Sequence, residues 1–302
     1  MRDGFVKVAA VTPDIRVADV AYNTQNICKM IDETVAKGAK VIVFPELCVT
    51  GYTCSDLFTQ DILLKESKEA LFKIAEYTKE KDAIIFIGVP LAIDGELYNV
   101  AAALNHGEIL GLTTKTFLPN YGEFYEMRQF RPGPDKARWI TLDGKQIPFG
   151  PQLLFQAAEM EDLIVAAEIC EDVWVMDPPS ISHARAGATV IVNCSASSET
   201  AGKHVYRRSL IAGQSARLVC GYICANAGEG ESTQDLVFGG HDLIAENGTV
   251  LAESRRFENG MILADLDLKR ICSERRRMTT FQVENPREQY DYMDFELEME
   301  DL

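Results

Sequence analysis

A cysteine stands just after an apolar run that is typical of a β-strand, and this placement suits a nucleophile. The run covers residues 163–167, and Cys170 is followed by Glu171, Asp172 and, two residues further on, Trp174. A thiol attacks a carbonyl group as the thiolate, which is a minor species at neutral pH unless a nearby cation or base shifts the equilibrium. Taken alone, such a cysteine is explained more readily by core packing, as are the seven others.

Two other segments hold the groups that a cysteine nucleophile needs. Glu46 follows the strand-like run 41–43 and a proline, and Lys115 precedes Leu118 and Pro119. An ammonium group beside the thiol would favour the thiolate, and a carboxylate can take the thiol proton and deliver it to a departing nitrogen. Each residue alone could equally lie on the solvated surface. Their order and local context favour catalysis.

Four motifs resemble the nitrilase superfamily of carbon–nitrogen hydrolases. Within it, residues 6–280 are similar to the amino-terminal glutaminase domains of glutamine-dependent NAD synthetases. The motifs are Phe-Pro-Glu-Leu-Cys-Val-Thr-Gly-Tyr at 44–52, Lys-Thr-Phe-Leu-Pro-Asn-Tyr-Gly-Glu-Phe-Tyr-Glu at 115–126, Cys-Glu-Asp-Val-Trp at 170–174 and Asn-Cys-Ser-Ala-Ser at 193–197.

The resemblance implies a role for each catalytic residue by its position in these motifs. Glu46 is expected to be the general base, Lys115 the partner of the thiolate and of the oxyanion, and Cys170 the nucleophile. Glu126 is expected to orient the lysine, with Glu123 as the competing choice. The implied reaction is attack on the side-chain amide of glutamine, release of ammonia, and hydrolysis of a glutamyl thioester to glutamate.

Substrate binding requires further groups, because free glutamine carries an ammonium and a carboxylate group at its α-carbon. The pocket should offer an acid for the first and neutral or basic donors for the second. The candidates are Tyr52, Tyr121, Glu171 and Ser197, and the resemblance also implies that the backbone N–H of Glu171 binds the oxyanion. Without the resemblance, half-buried tyrosines and a helix-capping serine would explain most of this set.

The resemblance also implies a partner. In such synthetases the ammonia passes to an ATP-dependent domain that amidates nicotinic acid adenine dinucleotide, but nothing after Met278 resembles the Ser-Gly-Gly phosphate-binding loop of that domain. We therefore expect no cofactor or metal in this chain, with ATP and Mg bound only by a synthetase domain or subunit. The chain would be a truncated form or a separate subunit. The alternatives are a stand-alone nitrilase-family amidase or carbamoylase and, less favoured, an idle docking domain.

The elements that position these residues alternate between strand and helix, which predicts an α/β fold. A turn at residues 105–108 predicts an antiparallel hairpin, and therefore a mixed sheet. The resemblance implies the nitrilase-type α-β-β-α sandwich and pairing of subunits near the nucleophile into a homo-oligomer. The predicted strands include 7–11, 41–44, 83–89, 189–192 and 219–225, and the predicted helices 21–37, 61–81, 180–186, 204–218 and 268–278.

Charge and composition narrow the possible partners and location. The net charge of −16 disfavours nucleic acid and anionic membranes, and no apolar stretch approaches transmembrane length. The eight irregularly spaced cysteines, without a secretory signal, favour a reducing cytoplasm. We expect one catalytic domain at 1–280 and an acidic tail at 281–302, which holds eight acids and one arginine and would be a linker toward a synthetase domain, a docking arm or a disordered end.

Overall fold

The computed structural model describes residues 3–233, 235–284 and 289–298, and within them two mixed β-sheets pack face to face. The first sheet has the strand order β14-β1-β2-β3-β4-β5-β7-β6 and the second β13-β12-β11-β10-β9-β8-β15. The strands are β1 (Phe5–Thr12), β2 (Val41–Val43), β3 (Ile84–Ile93), β4 (Glu96–Asn105), β5 (Glu108–Thr114), β6 (Arg138–Leu142), β7 (Lys145–Phe149), β8 (Leu153–Ala157), β9 (Ile164–Ile169), β10 (Val190–Ser195), β11 (Gly221–Asn226), β12 (Leu243–Glu246), β13 (Thr249–Glu253), β14 (Gly260–Asp267) and β15 (Asp291–Phe295).

Helices cover the outer face of each sheet. The first sheet carries α1 (Val20–Val35) and α2 (Asp61–Tyr77), and the second carries α4 (Pro179–Arg185) and α5 (Lys203–Leu218). The short α3 (Glu126–Gln129) lies beside the active-site residues, and α6 (Leu268–Arg277) follows β14. None of the helices in the described segments combines the length and apolar character needed to cross a membrane.

The alternation of side chains along the strands produces this layering. In β1, Val6, Val8 and Ala10 face the second sheet, whereas Ala9 and Val11 face the helices. Successive residues of a strand point to opposite faces, so a strand that is apolar throughout can join two cores. The predicted α-β-β-α sandwich with mixed sheets is confirmed.

The predicted hairpin is also present. β4 and β5 pair antiparallel, and His106 and Gly107 occupy the turn with φ of 46° and 87°. Two consecutive residues with positive φ match the twist of the flanking strands. The strands β6 to β8 follow this hairpin and were not predicted, because Pro148, Gly150 and Pro151 interrupt their apolar pattern.

The acidic end of the chain differs from the expectation that it lies outside the core. Residues 291–295 form β15, which pairs parallel with β8, and Phe295 and Leu297 are buried between the sheets. Asp294 and Glu296 point outward, so the segment has the period-two alternation of an edge strand, which its net charge conceals. Its predicted role as a linker toward a synthetase domain remains a prediction.

Candidate active site

The ends of three strands bring the predicted catalytic residues together. Glu46 lies just beyond β2, Lys115 follows β5 and Cys170 follows β9, and all three side chains are buried. The site therefore lies where the two sheets meet. A hydrogen bond of 3.4 Å from the backbone N–H of Glu46 to the carbonyl oxygen of Ser195 joins the sheets at this point.

Lys115 binds two carboxylates in the interior. Its Nζ lies 2.6 Å from Glu46 Oε1 and 2.6 Å from Glu126 Oε1. Asn99 Nδ2 also donates to Glu46 Oε1 at 2.6 Å, and the Tyr52 hydroxyl donates to Glu126 Oε1 at 2.8 Å. The structure thus places Glu126 in the position predicted for a carboxylate that orients the lysine.

Burial and neighbouring charges oppose each other in this cluster. Burial alone would lower the pKa of Lys115, but Glu126 and Glu46 raise it well above its usual value, so the group is an ammonium ion. Burial raises the pKa of Glu126 to about 7, and the lysine opposes this rise. Within the described part of the chain, Glu46 Oε2 and Glu126 Oε2 have no hydrogen-bond partner. Each carboxylate therefore keeps one oxygen available for proton transfer or for substrate.

Cys170 adopts a strained backbone conformation. Its φ is 44°, which a non-glycine residue rarely adopts, and it opens a 3₁₀ helix, Cys170–Val173. Its backbone N–H donates to Asn193 Oδ1 at 2.9 Å. The first N–H groups of a helix have no partner within it, and the role of the Glu171 N–H in binding an oxyanion remains a prediction.

The thiol of Cys170 is less acidic than the sequence suggested. Burial raises its pKa, the charge of Glu46 raises it further, and Lys115 lowers it by less. The predicted effect of the lysine is present but is outweighed. The resting residue is therefore a thiol, and its proton must leave when the substrate reacts.

A buried polar relay behind Cys170 was not predicted. Asn193 Nδ2 donates to the Tyr222 hydroxyl at 3.1 Å, the Tyr222 hydroxyl donates to Glu168 Oε1, and Glu168 Oε2 accepts from the backbone N–H of Ser180 at 2.9 Å. These side chains are all buried. The available signal was the presence of Glu168 and Asn193 within otherwise apolar strands, because buried polar groups require partners.

Asp172 connects the nucleophile turn to the segment that carries Lys115. Its carboxylate accepts the backbone N–H groups of Thr116 at 3.1 Å, Phe117 at 2.8 Å and Ile169 at 2.9 Å. The connection fixes the two catalytic segments relative to each other. These contacts give a structural reason for an acid two residues after Cys170.

The four predicted substrate-binding residues lie in different environments. Tyr121 is exposed, and its hydroxyl donates to Glu171 Oε1 at 2.7 Å. Tyr52 is buried against Glu126, as described above. Ser197 is also buried, and its hydroxyl accepts from Arg207 Nη2 at 3.3 Å. The structure therefore brings Tyr121 and Glu171 together at the mouth, and the binding role of all four remains a prediction.

The site also has a rim that the sequence did not identify. Glu123, the competing candidate to orient the lysine, accepts a hydrogen bond of 3.3 Å from Ser198 instead. Lys203 Nζ donates to the same Ser198 hydroxyl at 3.0 Å. A cleft lined by Tyr52, Phe124 and Glu126, among others, opens beside this rim and reaches the lysine–carboxylate cluster.

Comparison with known proteins shows the family to which the chain is similar. Residues 7–276 match the carbon-nitrogen hydrolase family. The glutamine-dependent NAD(+) synthetase of Mycobacterium leprae is 41% identical over 280 residues, which cover 92% of this chain and 41% of the relative. The corresponding protein of Aquifex aeolicus is 33% identical over 83% of this chain and 41% of its own length. This chain thus spans about 41% of the length of these relatives.

Two solved structures are similar in fold. A glutamine-dependent NAD(+) synthetase from Cytophaga hutchinsonii is 31% identical and has a TM-score of 0.78, over 87% of this chain and 43% of that one. A mutant of a Nesterenkonia AN1 amidase from the nitrilase superfamily is 20% identical and has a TM-score of 0.70, over 92% of this chain and 96% of that one. The second similarity concerns the fold alone.

Proposed function

Because the chain belongs to the carbon-nitrogen hydrolase family, we propose that it hydrolyses the side-chain amide of free glutamine through a thioester on Cys170. The observation that carries this proposal is the buried cluster of Glu46, Lys115 and Glu126 at the strand ends that hold the strained cysteine. Glutamine is favoured as the substrate because the relatives with 41% and 33% identity are glutamine-dependent NAD synthetases.

The first half-reaction makes the thioester and frees ammonia. The Cys170 thiol gives its proton to the available oxygen of Glu46, and the sulfur attacks the amide carbon of the substrate. The oxyanion that forms is bound by the Lys115 ammonium and by the Glu171 N–H, and one such donor is worth about 3 kcal/mol in the transition state. Glu46 then protonates the departing nitrogen, the C–N bond breaks, and ammonia leaves.

The second half-reaction restores the enzyme. Glu46, now a carboxylate again, takes a proton from water, and the resulting hydroxide attacks the thioester carbon. The same donors bind the second oxyanion, the C–S bond breaks, and Cys170 recovers a proton. Glutamate leaves. The lysine keeps its charge throughout, because two carboxylates raise its pKa well above the usual value.

The proposal extends to the use of the ammonia. A synthetase domain or subunit would consume it in the ATP-dependent amidation of nicotinic acid adenine dinucleotide to NAD, in keeping with the names of the relatives. ATP and Mg would bind to that partner and not to this chain. Assembly into a homo-oligomer and a cytoplasmic location belong to the same proposal.

The test uses 6-diazo-5-oxo-norleucine, an electrophile shaped like glutamine that alkylates a thiolate with loss of nitrogen gas. We expect one adduct by intact-protein mass spectrometry, mapped to Cys170 and suppressed by free glutamine. Cys170→Ala should give no adduct, whereas Cys220→Ala, at a buried core cysteine, should react like the unaltered protein. An adduct that glutamine does not suppress would refute glutamine as the substrate and favour another small amide.

A further inference from the structure

Asn99 is a buried residue that contacts the proposed base, and the reaction described above gives it no task. It lies in β4, and its side chain is buried. Its Nδ2 donates to Glu46 Oε1 at 2.6 Å, and the Lys115 ammonium donates to the same oxygen, also at 2.6 Å. Within the described part of the chain the other oxygen, Glu46 Oε2, has no hydrogen-bond partner. The two donors therefore leave the carboxylate with one occupied and one available oxygen.

The pairing of β4 with β5 brings Asn99 and Lys115 to the same oxygen. Val100 stands opposite Thr114 in this antiparallel pair. The ladder continues by one residue, because the Lys115 N–H donates to the Asn99 carbonyl oxygen at 3.0 Å. Residues that stand opposite each other in a sheet project from the same face. The two donors thus approach Glu46 side by side.

The backbone of Glu46 is fixed by close packing. Gly88, in β3, packs against it, and a Cβ atom at Gly88 would overlap the backbone of residues 45–47. The N–H of Glu46 is also bound, to the carbonyl oxygen of Ser195 at 3.4 Å. What remains adjustable is therefore the orientation of the carboxylate on its side chain.

The lysine alone would not fix this orientation. The terminal torsion of a glutamate side chain has a broad energy profile, and an ammonium group is a compact charge that can bind either carboxylate oxygen. Lys115 is moreover shared with Glu126, whose Oε1 lies 2.6 Å from its Nζ. A second donor on Glu46 Oε1 opposes a turn of Oε2 toward the ammonium, because that turn would break the hydrogen bond from Asn99.

Stability alone does not explain Asn99. Its Oδ1 is buried and has no hydrogen-bond partner among the described residues, which lowers stability. Exchanging the two ends of the amide would place Oδ1 against Glu46 Oε1, so the donor must face the carboxylate. Asn105, a buried residue at the end of the same strand, has both ends of its amide satisfied. Its Nδ2 donates to the carbonyl oxygens of Ala83 and Glu296, each at 3.1 Å, and its Oδ1 accepts from the Glu296 N–H at 3.2 Å.

We propose that Asn99 is a positioning residue, which together with Lys115 occupies Glu46 Oε1 and so reserves Oε2 for proton transfer. The inference rests on the proposed function, in which Oε2 takes the proton of the Cys170 thiol and gives it to the departing nitrogen. Without the amide, the carboxylate can turn Oε2 toward the lysine, and the proton must then pass between poorly aligned groups. A general acid or base acts only within hydrogen-bond reach of the proton that it transfers.

The test follows alkylation of Cys170 by 6-diazo-5-oxo-norleucine, because this reaction needs the same proton transfer. The thiol proton moves to the diazo carbon of the reagent, nitrogen gas leaves, and the C–S bond forms. Asn99→Leu removes the donor at similar volume. It should lower the first-order rate constant at saturating reagent by roughly 10- to 150-fold, the contribution of one hydrogen bond to a charged group. The half-saturating reagent concentration should change by less than about two-fold, since Asn99 has no contact with the substrate in the proposed mechanism.

A second variant and a matched control complete the experiment. Asn99→Val suits a strand and also lacks a donor, so it should show the same pattern as Asn99→Leu. Asn105→Leu makes the same replacement elsewhere in β4. It should lower the thermal midpoint, because three hydrogen bonds are lost, and leave both alkylation parameters within about two-fold of the unaltered protein.

The outcomes separate the two proposals. If the Asn99 variants keep the rate constant of the unaltered protein, or raise the half-saturating concentration, Asn99 does not position the base and this inference is wrong, while glutamine hydrolysis stands. The same conclusion follows if Asn105→Leu slows alkylation as much as Asn99→Leu does. If the unaltered protein shows no adduct on Cys170 that free glutamine suppresses, the proposed function and this inference fail together. A loss confined to the rate constant of the Asn99 variants would establish the positioning role.

Discussion

The relay behind Cys170 gives a sharp test of how the nucleophile is held. Tyr222→Phe removes one hydroxyl that donates to Glu168 and accepts from Asn193 Nδ2 at 3.1 Å. Both partners are buried, so water does not replace the lost hydroxyl. The carboxylate keeps its hydrogen bonds with the backbone N–H and the side chain of Ser180, and the Asn193 amide loses its acceptor.

The expected cost has two parts. A lost hydrogen bond to a charged group costs about 1.5–3 kcal/mol, and an unsatisfied buried amide costs about 1–3 kcal/mol. Protonation of Glu168, whose pKa is already raised by burial, limits the first part. We therefore expect the free energy of unfolding to fall by about 3 kcal/mol, or roughly 6–10 °C in Tm.

The matched control is Tyr98→Phe, which removes a hydroxyl that donates to Glu96 Oε2 at 2.6 Å. Glu96 is exposed, so water takes over the bond, and this variant should lose less than about 1 kcal/mol of its free energy of unfolding.

Urea unfolding of both variants at two pH values gives a further test of the relay. Below the ordinary pKa of glutamate, Glu168 is protonated in every state, and only the cost of the unsatisfied Asn193 amide and of a neutral hydrogen bond remains. The cost of Tyr222→Phe should grow as the pH rises. Equal losses in the two variants, or a cost independent of pH, would refute the relay.

Two further predictions concern pH and the acidic end of the chain. Burial raises the pKa of Asp172 to about 8 and that of Glu126 to about 7, so from the ordinary carboxyl pKa of about 4 up to these values the folded state binds more protons than the unfolded state. These two groups should therefore make stability fall as the pH rises from about 4 to about 8, and a thermal midpoint that is flat or rises between about pH 6.5 and 8 would contradict this account. Phe295→Asp, in β15, should lower the free energy of unfolding by about 3–5 kcal/mol, because it places a charge among buried residues. Asp294→Ala, at the exposed neighbour, should change it by less than about 0.5 kcal/mol, and urea titration of both variants compares them.

Much of the site could be predicted because its residues lie at strand ends. Glu46, Lys115 and Cys170 each follow an apolar run in the sequence, and the ends of those strands meet at one place in the structure. The spacing of the sequence could not decide whether Glu126 or Glu123 binds Lys115. They lie three residues apart around an irregular turn, and only Glu126 points to the lysine.

The unpredicted parts depend on contacts between distant segments. Lys203 shows no local signal, because the aromatic rings beside it, those of Trp174 and Phe124, come from positions about 30 and 80 residues away. β15 was missed because eight acids in the last residues dominate the composition, although every second residue near Phe295 is apolar. Net charge describes solubility, whereas burial follows the period of the apolar residues.

In the proposed mechanism, the raised pKa of Cys170 determines how Glu46 and Lys115 divide the proton transfer and the charge stabilisation. If Lys115 alone set the charge of the thiol, the resting enzyme would hold a thiolate and Glu46 would be needed only for the leaving group. Burial and the Glu46 charge instead keep the thiol protonated. Deprotonation therefore coincides with attack on the substrate, when the lysine can stabilise the oxyanion instead of the sulfur. In the proposed mechanism the same carboxylate then holds the proton that ammonia requires, so one buried base would serve both steps.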